Sequence, residues 1–170
     1  LLAGDIDGDG KVDFFATGAD GKARLLINRG GFVFAEEGEL RGFTPAGVVS
    51  LVLADVDRDS RIDIACLIDD AVSRTQSIRL YGNKGGGRFR EPVDVAFLEA
   101  RDAVDLVAAD FDHDLWIDFW LVRERENPKS QVLDVFRNEA KLKFSPVVPN
   151  VNVAAFFKAS ASAGVILPWS

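Results

Sequence analysis

Apolar runs broken at regular distances by aspartate-rich segments set the layout of this chain. Leu1-Leu2-Ala3-Gly4, Ser50-Leu51-Val52-Leu53-Ala54 and Asp105-Leu106-Val107-Ala108-Ala109 are small and apolar on both faces, and each leads into a cluster of acids. The runs after the clusters, Val12-Asp13-Phe14-Phe15, Ile62 to Ile68 and Ile117 to Val122, are β-branched and aromatic, which suits strands. Further strand-like runs, Ala23 to Ile27, Ser77 to Tyr81 and Gln131 to Phe136, lead to Asn28, Asn83 and Asn138. Six residues after each Asn stands Phe34, Phe89 or Phe144, and a spacing of six kept three times marks a repeated unit. The Asn introduces a turn, Gly30-Gly31 and Gly85-Gly86-Gly87 supply permissive backbone, and the Phe starts the next strand on its buried face. Ala140 stands where the third copy should carry glycine, so that turn should be tighter or strained. Each period thus reads as four strands, and helical periodicity is nowhere convincing.

The acidic clusters start at Asp5, Asp55 and Asp110, spacings of 50 and 55 residues that belong to propeller blades rather than short solenoid repeats. The expected fold is all-β: a segment of about three four-stranded antiparallel blades, with the first strand of each innermost. Blade boundaries are expected at 1–49, 50–104 and 105–163, with 164–170 as the first strand of a following blade. The stretch from Pro146 reads as a connector leading to that strand. Closed propellers generally need about four to eight blades, so three periods point to an arc of a larger one. The sequence contains no methionine, which fits a processed or excised portion of something longer.

Aspartates stand at positions 1, 3, 5 and 9 of each cluster: Asp5, Asp7, Asp9, Asp13; Asp55, Asp57, Asp59, Asp63; Asp110, Asp112, Asp114, Asp118. No cation lies close enough in sequence to neutralise four acids, and crowded carboxylates repel unless a divalent ion collects them. Hard oxygen donors suit Ca²⁺ better than Zn²⁺ or copper. Positions 1, 3 and 5 would supply side-chain oxygens, position 7 (Lys11, Arg61 or Trp116) a backbone carbonyl, and position 9 the closing carboxylate. Up to three structural Ca²⁺ ions are expected, one per loop. Gly10 fits a sharp turn at position 6; Ser60 and Leu115 fit it less well, a branched side chain at positive φ costing about 1–2 kcal/mol. Affinity should therefore fall from the first loop to the third.

An EF-hand loop begins the same way but closes with Glu at position 12 between two helices. Here position 12 is Ala16, Cys66 or Leu121, within strand-like sequence. The pattern Asp-x-Asp-x-Asp-Gly-x-x-Asp between two strands resembles instead the FG-GAP/VCBS repeats of integrin-α-type β-propellers. The likeness runs over nearly the whole chain. The Phe-Gly and Gly-Ala-Pro signatures are absent, which places it nearer the bacterial VCBS-type branch. That resemblance implies calcium-stabilised blades that present loops from one rim to protein ligands in adhesion or complex assembly, without catalysis, on the extracellular or periplasmic side.

Composition sharpens this picture in a few places. The chain has 170 residues, 48% of them hydrophobic, enough for a packed core. Its net charge of −7 is local, since twelve of the 27 acids are loop aspartates, and three Ca²⁺ ions would bring it to about −1. Nucleic-acid binding through a basic surface is disfavoured. The single cysteine, Cys66, forms no internal disulfide and reads as a buried thiol. No apolar run approaches the ~18 residues of a membrane helix, so direct insertion is not expected. Loops of this type have affinities matched to extracellular calcium.

Other chemistry-bearing residues read as bystanders. His113 occupies loop position 4, facing solvent; Asp69-Asp70 and Glu124-Arg125-Glu126 read as solvated turn acids rather than a glycosidase pair. Gly85-Gly86-Gly87 lacks the Gly-Lys-Ser/Thr of a phosphate loop. Trp120, Tyr81 and Phe136 are expected to pack between blades, whereas Trp116 would point its side chain away from the metal, toward a partner or a sugar. The expected role is a non-enzymatic scaffold with protein partners. Its rivals are a carbohydrate-binding or accessory module of a polysaccharide-active protein, and an accessory subunit of a large membrane-associated complex.

Overall fold

A computed structural model of the chain describes residues 1–17, 23–37, 43, 45–126 and 129–147. Most of the expected connector after Pro146, and the strand at 164–170, lie outside the described residues. Three four-stranded antiparallel sheets follow one another, and the described residues contain no helix. The first sheet is β1 (Leu2–Gly4), β2 (Asp13–Thr17), β3 (Ala23–Asn28) and β4 (Phe34–Glu37), paired in chain order. The second is β5 (Val48–Ala54), β6 (Asp63–Asp70), β7 (Thr75–Tyr81) and β10 (Val93–Leu98), with a ribbon of β8 (Asn83–Gly85) and β9 (Arg88–Phe89) between its last two strands. The third is β11 (Ala103–Ala109), β12 (Asp118–Glu126), β13 (Lys129–Asn138) and β14 (Phe144–Val147).

The ribbon corrects one expectation. Phe34 and Phe144 begin fourth strands, but Phe89 ends the ribbon, and the fourth strand of the second sheet starts at Val93. The three glycines Gly85, Gly86 and Gly87 all take left-handed backbone (φ 82°, 61° and 67°), which lets the chain pair with itself early. Pro92 then offers no N–H to continue the pairing. The third copy makes the equivalent turn with Ala140, Lys141 and Leu142 at φ 76°, 54° and 62°, the strain expected where glycine is missing.

Strand β6 shows how the core is laid out. Ile64 through Ile68 is buried without a break, because successive side chains point to opposite faces and both faces are covered. Ile64, Cys66 and Ile68 pack with Ile6, Phe15 and Leu25 of the first sheet. Ala65 and Leu67 turn the other way, onto Leu106, Phe119 and Leu121 of the third. The middle sheet is therefore sandwiched, and each fully buried Ile, Leu or Phe contributes about 1.5–3 kcal/mol. Phe43, from the link between the first two sheets, seals the first interface against Phe15 (ring centroids 5.2 Å), Tyr81 (4.6 Å) and Phe89 (5.8 Å).

First strands of successive sheets lie side by side, β1 near β5 and β5 near β11. Ser50 Oγ in β5 donates to Asp105 Oδ1 in β11 across 2.6 Å, without strand pairing between the sheets. Cys66 is fully buried, and burial pushes its thiol pKa up, so it is the inert core thiol the sequence implies.

Candidate metal centres

Each aspartate loop leaves the first strand of a sheet and re-enters at the second. The pairs Gly4↔Asp13, Ala54↔Asp63 and Ala109↔Asp118 fix its two ends identically. Between them two residues take left-handed backbone: Gly8 and Gly10 (φ 81° and 82°), Arg58 and Ser60 (61° and 65°), His113 and Leu115 (62° and 71°). Position 6 is thus a backbone requirement, as expected. Position 4 shares it, and Gly8 was the signal for that in the sequence.

The position 1 carboxylate folds the loop around itself. Asp5 Oδ1 accepts from the N–H groups of Gly8 (2.9 Å) and Asp9 (3.0 Å), and Oδ2 from that of Gly10 (2.9 Å). Asp55 accepts from Asp59 (3.0 Å) and Ser60 (2.9 Å), and Asp110 from Asp114 (3.1 Å) and Leu115 (3.0 Å).

Position 9 is buried in every copy and anchored on both oxygens. Oδ2 of Asp13, Asp63 and Asp118 accepts the N–H of Ile6 (2.8 Å), Val56 (3.0 Å) and Phe111 (3.2 Å). Oδ1 accepts the N–H of Asn28 (2.9 Å), Asn83 (2.8 Å) and Asn138 (2.9 Å). The repeated Asn therefore does more than start a turn: it clamps the loop of its own sheet.

Positions 1, 3 and 9 converge. In each of the triads Asp5-Asp7-Asp13, Asp55-Asp57-Asp63 and Asp110-Asp112-Asp118, one oxygen per residue lies within 4.8 Å of the other two. Position 5 stands outside these triads. Asp9 pairs with Lys11 Nζ at 2.5 Å, Asp59 with the Arg61 guanidinium, and Asp114 with Arg137 Nη2 at 3.0 Å. The position 7 residues also give that carboxylate their backbone N–H: Lys11 at 2.9 Å, Arg61 at 3.0 Å and Trp116 at 2.9 Å. In the first two loops the tight turn brings positions 5 and 7 together, so one acid of the four gains a cation from its own loop, and in the third, where position 7 is Trp116, that cation is Arg137 from outside the loop.

The position 3 carboxylates of the second and third loops also meet cations from outside the loops, Arg90 and the same Arg137. Arg90 Nη1 sits 2.7 Å from Asp57 Oδ2, and Arg137 Nε 2.6 Å from Asp112 Oδ2. No regular spacing marks them, since one follows Phe89 and the other precedes Asn138. Asp7, their counterpart in the first loop, has no ion pair among the described residues.

The electrostatics favour an added cation. Burial, reinforced by Asp13 and Asp9, raises the pKa of Asp7. Burial also carries Asp63 up to about 6 against the N–H groups of Asn83 and Val56, and raises Asp118. Asp9 is held down by Lys11, and Asp114 by the Trp116 N–H and Arg137. Asp57 Oδ1 is buried with no hydrogen-bond partner among the described residues. One buried carboxylate per triad converging with two half-buried or exposed ones, and in the second loop the orphaned Asp57 Oδ1, fits a hard divalent ion such as Ca²⁺.

Of the remaining candidates, Asp69, Asp70 and Glu124 sit in strands β6 and β12, toward the end away from the aspartate loops, rather than in turns as expected. His113 is exposed. Asp69 is held by Arg101, and Asp70 Oδ1 accepts from Val72 N–H at 2.8 Å. Glu124 is exposed, while the side chains of Arg125 and Glu126 lie outside the described residues. Trp116 is half-buried with the Arg58 guanidinium 5.1 Å above its ring, a contact between the second and third loops. Tyr81 and Phe136 are buried between sheets.

Neither a curated protein nor a solved structure matches the chain. Residues 5–66, from the first aspartate loop through the second and into β6, match the family model of the FG-GAP-like repeat, and this part of the chain is similar to that family.

Proposed function

We propose that the chain is an arc of a calcium-stabilised β-propeller, nearer the VCBS-type branch of FG-GAP repeats, that serves as a non-catalytic scaffold for protein–protein binding, adhesion or assembly. The observation that carries this is the recurrence of one carboxylate triad at the same corner of three sheets packed in series. Side-by-side first strands and face-to-face cores between sheets support blades around an inner strand layer.

Positions 1, 3 and 9 would hold each ion, with positions 5 and 7 closing the set once position 5 leaves its cation. The ion supplies charge neutralisation, which ties the two strands flanking each loop and links binding to folding. The scaffold reading also rests on the side chains in hand: the histidine faces solvent and the cysteine is buried. Affinities of such loops suit an extracellular or periplasmic setting, where the loop rim would meet its protein partner. A glycan-binding role draws no support from the aromatics, since Trp116 lies under Arg58 and Trp120 stacks on Phe111 at 4.3 Å.

Calorimetric titration with Ca²⁺, paired with thermal unfolding in calcium and in chelator, tests the proposal. Saturable binding of up to three ions with a raised melting temperature is expected. No binding at millimolar calcium would overturn it.

A further inference from the structure

In the second and third loops one guanidinium bridges the carboxylates of positions 3 and 5. Arg90 Nη1 lies 2.7 Å from Asp57 Oδ2, and its Nη2 3.5 Å from Asp59 Oδ2. Arg137 Nε lies 2.6 Å from Asp112 Oδ2, and its Nη2 3.0 Å from Asp114 Oδ2. The same bridge is built from two different places in the repeat, since Arg137 stands one residue before its Asn and Arg90 seven residues after. Where the third sheet has Arg137, the second has Gly82. A Cβ on Gly82 would meet Arg90 Nη1 at 3.2 Å and Cδ at 3.3 Å, so Arg90 fills the space that a side chain at residue 82 would take. The Arg90 N–H donates to Gly82 O at 2.8 Å, which seats it there.

The first sheet has neither arginine. Ile27, buried in the core, stands where Arg137 does, and Ala35 stands where Arg90 does. Asp9 pairs with Lys11 of its own loop, whereas Asp7 has no ion pair among the described residues. Position 3 belongs to each converging triad, so a guanidinium on it offsets repulsion that a metal ion would also relieve. Each bridge also ties position 3 to position 5 across the left-handed residue between them, Arg58 or His113, by charge-assisted hydrogen bonds.

We propose that Arg90 and Arg137 are resident cations that hold the second and third loops closed without metal, leaving closure of the first loop alone to calcium. The inference deepens the calcium reading and rests on it for the first loop; the role of the arginines stands on the ion pairs themselves. An ion entering the second or third loop displaces a guanidinium and adds little order, whereas an ion entering the first supplies position 3 with its cation. The second loop should be held better than the third. Its Asp57 and Asp59 side chains are 15% and 22% exposed, against 39% and 28% for Asp112 and Asp114, and screening by water weakens the more exposed pair.

Hydrogen exchange of the full chain, resolved by residue with NMR in chelator and in calcium, is the test. The probes are N–H groups held by position 1: Asp9 and Gly10, Asp59 and Ser60, Asp114 and Leu115. In chelator, protection factors at Asp9 and Gly10 should lie about fivefold or more below those at Asp59 and Ser60, and calcium should remove the difference. Arg90→Gln should lower protection at Asp59 and Ser60 about fivefold in chelator, and Arg137→Gln that at Asp114 and Leu115 about threefold. Calcium should restore both. Arg90→Lys, which keeps the charge and loses the planar fork, should retain part of the protection. Arg79→Gln, which breaks an ion pair with Asp94 on the outer strand, should leave all three loops unchanged. Equal protection of the three loops in chelator, or a loop that keeps its protection in its own glutamine variant, would overturn the inference. If calcium slows exchange in no loop while the glutamine variants still open theirs in chelator, the arginine bridges are upheld and the calcium reading falls, with the role given to the first loop.

Discussion

Asn83 holds the carbonyl of Ile6 through a 2.8 Å hydrogen bond across 77 residues of sequence. The same side chain donates to Ile62 O at 2.8 Å and accepts from Gly85 N–H at 2.7 Å, while its backbone N–H anchors Asp63. One buried amide thus joins its own loop, its own turn and the loop of the preceding sheet. Asn138 repeats the two carbonyl contacts at 3.2 Å.

Removing that amide leaves two carbonyls without a donor, one of them buried between sheets. Asn83→Ala should cost about 3 kcal/mol, and Asn28→Ala, with no described partner in another sheet, about 1 kcal/mol. Urea unfolding in saturating calcium measures both. Equal costs would show that the link between sheets contributes nothing.

Calcium affinity should fall from the first loop to the third. Glycine fills both left-handed positions only in the first, and only there is the position 3 carboxylate without an ion pair among the described residues. Arg137→Gln frees Asp112 and Asp114 and should strengthen binding at the third loop about fivefold, in line with a partly exposed ion pair. Asp7→Asn should remove the tightest site. Titration calorimetry of the two variants against the unaltered chain reads both effects.

The metal-free protein should lose stability as pH rises. The Asp63 pKa, raised to about 6 by burial, lies above the ~3.9 of an unfolded chain, so the folded state binds the proton more tightly. Its contribution is fully present below about pH 4 and is lost as pH climbs through 6, a change of about 3 kcal/mol. Asp7 and Asp118, also raised, act in the same sense. In chelator the melting temperature should therefore drop between pH 4 and 7, and Asp63→Asn should flatten the slope. Saturating calcium should reverse it, since the ion binds the ionised form.

Leu115 is 65% exposed at φ 71°, so its side chain packs little and its backbone is strained. Leu115→Gly should stabilise the protein by about 1 kcal/mol despite removing a large apolar side chain. A lower melting temperature would show that the loop stores no strain there.

The aspartate spacing and the Asn-to-Phe interval made the three-sheet plan legible because both are local. A nine-residue loop and a hairpin turn are set by neighbours along the chain, and strand composition by period-two burial. The second sheet departs at Phe89 because three glycines let the backbone fold back one strand early, a choice among permitted turns that composition alone leaves open. The position 5 carboxylates read as ligands from their spacing, yet turn compactness puts Lys11 and Arg61 beside them.

By itself, the sequence determined that acids gather at three equivalent corners between strands, since residue order decides which side chains share a tight loop. Only the tertiary structure decided which of those acids converge, which arginines reach them, and that each Asn reaches back to the loop before its own. Those contacts join residues dozens of positions apart, such as Asp57 with Arg90 and Val56 with Asn138. Their partners are chosen by the stacking of one sheet on the next, which no interval along the chain encodes.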